Sequence, residues 1–120
     1  KGVAFWITDP TGAVLLRRRP EKGLLGGMME VPSTDWVEQG IAPDAAPAQA
    51  PAGADWKALP GLVRHTFTHF HLELTVLAGR AAGSDNVDGV WCPVENLGDH
   101  ALPTVMRKVC AHALAGGGKG

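Results

Sequence analysis

A strict two-residue alternation runs through the middle of the chain and then reverses. From Phe70 onward the even positions are apolar (Phe70, Leu72, Leu74, Val76, Ala78), while His69, His71, Glu73 and Thr75 take the odd ones. Successive side chains of a strand point to opposite faces, so the pattern predicts a half-buried strand with Phe70 in the core. Upstream the apolar positions are odd, Val63 and Phe67, with Arg64, Thr66 and Thr68 between them. A strand cannot exchange its buried face for its exposed one without a bulge, a turn or an end. The exchange falls at Thr68-His69. Phe67, Thr68 and His69 are therefore expected on an exposed hairpin tip or bulge, with side chains aimed outward. Phe67, beside the break, suits either a core position or an exposed wedge.

The remainder of the chain supplies a small mixed fold. Val3-Ala4-Phe5-Trp6-Ile7 reads as a strand, Asp9-Pro10-Thr11-Gly12 as a type I turn, and Ala13 to Arg19 as the return strand. Gly23 to Pro32 is a glycine-rich turn leading into a short extended segment, and a short helix is expected around Thr34 to Gln39. From Ile41 to Ala54 alanine, proline and glycine dominate, and residues 41–58 are expected to form a mobile loop, because proline interrupts a helix. Ala81 to Asp88 reads as a polar turn and Gly89 to Cys92 as a short strand. Pro103 then opens a helix in which Val105, Met106, Val109, Cys110 and Ala113 recur at helical spacing, until the glycines from Gly116 end it. The fold class is α+β: a mixed, mostly antiparallel sheet, a C-terminal helix and at most one further short helix. Residues 1–115 make one domain, with 116–120 a glycine-rich tail.

Composition excludes several classes of function. Hydrophobic content of 45% beside 19% charged residues fits one globular domain, and no apolar run approaches the ~18 residues of a membrane span. No membrane partner is expected, and no secretory leader is visible. Cys92 and Cys110 are too few for a disulfide framework or a four-cysteine metal site, so they are expected buried and reduced in a cytoplasmic protein. A net charge of −1 gives no general field for polyanions, although Arg17, Arg18, Arg19 and Lys22 are locally dense. The chain opens at Lys1 directly into a strand pattern and reads as a piece of a longer protein.

Glycine-rich Gly26-Gly27 followed by Glu30 invites comparison with the Nudix pyrophosphohydrolases. Their box carries a glutamate after a glycine, then an Arg-Glu pair and a Glu-Glu pair on one helix. A divalent ion bridging a diphosphate wants several carboxylate oxygens from one such face. Counted from Gly27, those positions hold Ser33, Ile41-Ala42 and Ala45-Ala46; counted from Gly26, only Asp44 supplies a carboxylate. Diphosphate hydrolysis is not credible from this set, and what remains resembles a Nudix scaffold without its chemistry. A phosphate-cradling loop is no better supported, since no Lys-Ser or Lys-Thr pair follows the glycines. Glu30 is expected to be solvated or hydrogen-bonded. His65, His69 and His71 as a zinc site is disfavoured by the face break between the first and the other two.

Residues 64–74, Arg-His-Thr-Phe-Thr-His-Phe-His-Leu-Glu-Leu, resemble the C-terminal domain of MutY-type adenine DNA glycosylases, whose Phe-Ser-His loop faces 8-oxoguanine. The similarity extends through Val14 to Pro20, Gly23 to Met28, Glu30-Val31-Pro32, Trp91, and Leu102-Pro103 with Met106, Arg107 and Lys108. Thr68 departs from the family's serine but keeps the hydroxyl, and Met29 replaces a frequent aromatic. The resemblance implies a Nudix-like domain for base-excision repair that reads 8-oxoguanine opposite a mispaired adenine in double-stranded DNA. Phe67, Thr68 and His69 would be the reading residues, with Arg64, Arg17 and Arg19 as candidates for phosphate contacts. It implies no catalytic residue, metal or cofactor in these residues. The N-glycosidic chemistry and a 4Fe–4S cluster belong to the family's N-terminal catalytic domain, the expected partner of a monomeric bacterial chain. A Nudix-type hydrolase with a degraded box, or an interaction module on the same scaffold, are the competing readings.

Overall fold

The structure, a computed structural model, describes residues 1–19, 26–34, 36, 45–50, 55–68, 70–81 and 89–117. Among the described residues seven strands form one sheet: β1 (Gly2–Thr8), β2 (Val14–Arg18), β3 (Met29–Glu30), β4 (Lys57–Ala58), β5 (Val63–Thr66), β6 (His71–Arg80) and β7 (Val90–Cys92). The order β3-β2-β1-β6-β4 places the two longest strands side by side at the centre, with β5 also paired to β6 and β7 to β2. β1 and β6 run parallel from Gly2↔Leu74 to Thr8↔Arg80, and the other strand pairs are antiparallel. One α-helix, α1 (Thr104–Gly117), follows, running through Gly116 rather than stopping there. The mixed sheet with its C-terminal helix is the expected class.

Both faces of the central strands are covered, which explains why β1 is apolar at consecutive positions rather than alternate ones. Ala4 and Trp6 join Leu72, Leu74 and Val76 in a core sealed by Val105, Met106, Val109 and Cys110 of α1. Val3, Phe5 and Ile7 pack on the other side with Leu15, Leu77 and Ala46. A fully buried side chain such as Met106 or Leu74 contributes roughly 1.5–3 kcal/mol by leaving water. Pro103 precedes α1 without forfeiting a bond, since an N–H there would have no intrahelical acceptor, and its carbonyl accepts from the Met106 and Arg107 amides at 2.9 and 3.0 Å.

Turn chemistry sets the first hairpin. Asp9 Oδ1 accepts from the Thr11 amide at 2.9 Å, the Thr11 hydroxyl at 2.6 Å and the Ala13 amide at 3.0 Å, while Gly12 takes φ 92°. Gly89, at φ 134°, brings β7 so close to β2 that a Cβ there would lie 2.4 Å from the Leu16 carbonyl oxygen.

Of the expected loop at 41–58, only 45–50 and 55–58 are among the described residues, and they carry regular structure. Ala46–Gln49 forms a 3-10 turn whose Ala46 is fully buried in the second core, and Lys57-Ala58 pairs with β6. Ala46 is buried and Trp56 packs against the same core, a burial that composition alone did not suggest. Within the expected helix at Thr34 to Gln39, Thr34 instead hydrogen-bonds along β1, its amide to the Val3 oxygen at 2.8 Å. Positions 35 and 37–40 lie outside the described residues, as does most of the expected turn from Ala81 to Asp88.

Candidate nucleic-acid interface

β5 and β6 form a hairpin in register Val63↔Leu74, Arg64↔Glu73, His65↔Leu72 and Thr66↔His71. The Phe67 amide donates to the Phe70 oxygen at 2.8 Å, so these two residues close the ladder with the turn between them. This accounts for the reversed alternation. In this register odd residues of β5 face even residues of β6, so the chain turns back without changing its buried face. No bulge is needed. Thr68 stands exposed in the turn, and His69 lies outside the described residues.

The helix-side face of this hairpin runs from core to open surface. Val63 and Leu74 are buried, His65 and Leu72 come next, and Phe67 and Phe70 sit at the tip. Phe70 is not a core residue: it is 41% exposed. Its alternation is correct, but it projects past the edge of the layer that covers the sheet. Phe67 is half-buried, with its ring 4.8 Å from Phe70, 4.7 Å from His65 and 6.3 Å from Trp36. The face carries aromatic surface up to its rim.

The opposite face of the hairpin carries the polar set. The Arg64 Nε lies 3.3 Å from a Glu73 carboxylate oxygen, yet its side chain is 74% exposed. His71 Nδ1 lies 2.8 Å from the Thr66 hydroxyl. His65 and His71 thus stand on opposite faces and cannot share an ion. Lys108 of α1 reaches under the tip, its Nζ donating to the Arg64 carbonyl and to His65 Nδ1, both at 3.1 Å. Burial, reinforced by the Lys108 charge, holds the His65 imidazole below its ordinary pKa.

Arg17 and Arg19 have a different fate. β3 sets Glu30 opposite Arg17, and the carboxylate, buried at the sheet edge, accepts from Arg17 Nε and Arg19 Nη1 at 2.7 Å each. Arg17 Nη2 also donates to the Ser33 carbonyl at 2.9 Å, and the Arg19 guanidinium lies 4.5 Å from the Trp36 ring centroid. Two of the three arginines expected at phosphates are thereby engaged inside the fold, whereas Arg64 presents its charge to solvent.

The same pairing tests the fold's metal chemistry. Glu30 spends both oxygens on guanidinium donors, Ser33 and Ala46 are buried at two of the box positions, and Ala45, Ile41 and Ala42 carry no oxygen ligand. Among the described residues no cluster of three acidic, His or Cys side chains fits a metal. Among the described residues no carboxylate set fits the divalent ion of a diphosphate hydrolase.

Comparison with solved structures defines the class of fold. The chain overlays the C-terminal domain of mouse MUTYH, solved in complex with human PCNA, with TM-score 0.72 and 23% identity, covering 95% of this chain and 86% of that one. A MutT protein from Methanosarcina mazei Go1 gives TM-score 0.75 at 17% identity, covering 99% and 94%. RenU, a Nudix hydrolase from M. smegmatis, gives 0.66 at 16%, covering 98% and 86%. Structures of this fold thus include hydrolases and a domain of MUTYH. Among curated proteins none matches the chain by sequence. The NUDIX domain profile matches residues 3–112, and the chain belongs to that family.

Of the two alternatives expected for Glu30 the hydrogen-bonded one holds, but sequence reasoning missed Trp36 and the identity of the Glu30 partners, Arg17 and Arg19. The register of β2 on β3 was the missing information, because the residues joining them show no hairpin spacing.

Proposed function

We propose that this NUDIX domain is the lesion-recognition part of a MutY-type adenine DNA glycosylase. It meets 8-oxoguanine opposite a mispaired adenine in double-stranded DNA and positions the duplex for a catalytic domain outside these residues. The observation that carries the reading is the exposure of Thr68 just beyond the Phe67–Phe70 hydrogen bond that closes the ladder. Guanine offers two acceptors, N7 and O6, in the major groove; the lesion turns N7 into an N–H donor and adds the O8 acceptor. A hydroxyl both donates and accepts, so Thr68 meets either new group. One good base-edge contact discriminates by ~1–3 kcal/mol. Phe67, gripped by its ring neighbours, supports the turn and offers its free edge to a base step. His69 completes the reading turn in the resemblance. Arg64 is the cation placed for a phosphate; Arg17 and Arg19 hold the turn's support instead. The resemblance in residues 64–74 and the carboxylate-poor box favour recognition over hydrolysis.

Binding of the chain to duplexes containing 8-oxoguanine:adenine or guanine:adenine, measured by fluorescence anisotropy at low salt, tests this. Wild type should prefer the lesion, and Thr68→Ala should lose that preference. Equal affinity of wild type for the two duplexes would remove the reading. Magnesium-dependent turnover of a nucleoside diphosphate derivative would revive hydrolysis in its place.

A further inference from the structure

The aromatic residues near the tip form a continuous column that ends in an uncovered ring. The Arg19 guanidinium sits on Trp36, Trp36 stacks on Phe67 at 6.3 Å and 30°, and Phe67 stacks on Phe70 at 4.8 Å and 24°. Glu30 ties the cationic end to the sheet, and the Trp36 indole N–H donates to the Ser33 hydroxyl at 3.3 Å. Gly2 makes room for Trp36: a Cβ there would come within 2.7 Å of the indole Cδ1. Anchored this way, Phe67 holds Phe70 in an orientation set by the fold. Phe70 keeps 41% of its surface open.

We propose that the open face of Phe70 is a stacking platform for one unpaired nucleobase. The inference deepens the reading above and rests on it for the partner being DNA, but it concerns a base other than the one Thr68 reads. Phe67 and Phe70 lie near-parallel, and the exposed part of Phe70 offers ring surface to another flat ring. One cation on this face, Lys108, is placed to meet the phosphate of such a nucleotide. Lys108 lies at His65, on the same face as Phe70 and two residue pairs from the tip, whereas Arg64 stands on the opposite face of the hairpin. Aromatic rings interleaved with cations are the pattern of single-strand recognition, in which each base has a π-face to stack and each phosphate a charge to meet. A duplex in which one base is unpaired by a mismatch or a bulge offers that ligand.

The test uses the chain and a labelled duplex carrying a single unpaired adenine, compared with its fully paired counterpart, by fluorescence anisotropy at low salt. Wild type should prefer the bulged duplex. Phe70→Ala should weaken bulge binding by about 5- to 150-fold, the range of one lost base–aromatic stack, and leave the paired duplex little changed. Phe70→Trp should retain the preference, with its added indole fluorescence quenched on binding. Phe70→Leu keeps apolar area but has no π-face and should behave like the alanine variant. Since Phe70 is at the surface, circular dichroism should find all three folded. Wild-type affinity in Phe70→Leu would show generic apolar contact, as for a protein partner, and overturn the proposal; so would an unaffected Phe70→Ala. If Phe70→Ala is unaffected while Thr68→Ala loses lesion preference, the platform fails and the lesion reading stands. If Phe70→Ala loses bulge binding while wild type ignores 8-oxoguanine, the reverse holds. No binding to either duplex overturns both.

Discussion

Two polar–aromatic regions of this domain begin from similar residues and end with opposite properties. Around Glu30, two arginines, a serine and a tryptophan satisfy one another: the carboxylate is buried, and its oxygens are 2.7 Å from guanidinium donors. Around Thr68, a hydroxyl, a phenylalanine and an arginine are held in place but remain open to solvent. The first region spends its hydrogen-bonding capacity on the fold, and the second leaves it exposed. The lesson concerns the NUDIX scaffold at large. Its metal chemistry needs unpaired carboxylates, and among the described residues Glu30, beside the glycine turn, is engaged in the fold.

Substitutions that separate stability from recognition can break this contrast. The largest effect is expected from Glu30→Ala, which strands two cations at the sheet edge. The guanidiniums are partly solvated, so the loss should be about 2–3 kcal/mol, below the full value for a buried pair, and urea unfolding measures it. A loss near zero would place Glu30 among ordinary surface carboxylates. Phe67→Ala should act on both counts, destabilising by about 1–2 kcal/mol because the ring is only half-buried, and lowering lesion preference as the turn loses its brace. Thr68→Ala sharpens the contrast from the other side. Its stability should stay within about 0.5 kcal/mol of wild type, while 8-oxoguanine preference falls by about 5-fold or more.

The smallest effect is a pH dependence. His65 has its pKa lowered in the folded state, so the unfolded chain binds the proton first as pH falls through about 6.5. Stability should therefore decline as pH drops below that value, until the folded imidazole also protonates. Unfolding midpoints taken between pH 7.5 and 5 should show the decline in wild type and a smaller one in His65→Gln. Equal slopes would assign it to other groups.

Much of the fold was legible because it rests on periodicity. The helix at Thr104–Gly117 follows from the spacing of Val105, Met106, Val109 and Ala113, and the hairpin tip from the reversed parity of Phe67 and Phe70. Periodicity gives direction but not reach. It assigned Phe70 to the correct face, yet nothing local reports where the covering layer stops. Non-local register is likewise silent in sequence: Arg17 meets Glu30 only because β2 pairs with β3, and Trp36 meets Phe67 across a long separation. Composition misled at residues 41–58, where an alanine- and proline-rich stretch still contributes buried Ala46 and the paired Lys57-Ala58.

The most direct measurement is an amide chemical-shift titration of the chain with a duplex containing 8-oxoguanine opposite adenine. The largest lesion-dependent changes should fall on Thr66 to His71, with Gly26 to Ser33 nearly unmoved. Changes centred on Glu30 and its arginines, with the turn at Thr68 silent, would contradict the assignment of recognition to the exposed hairpin.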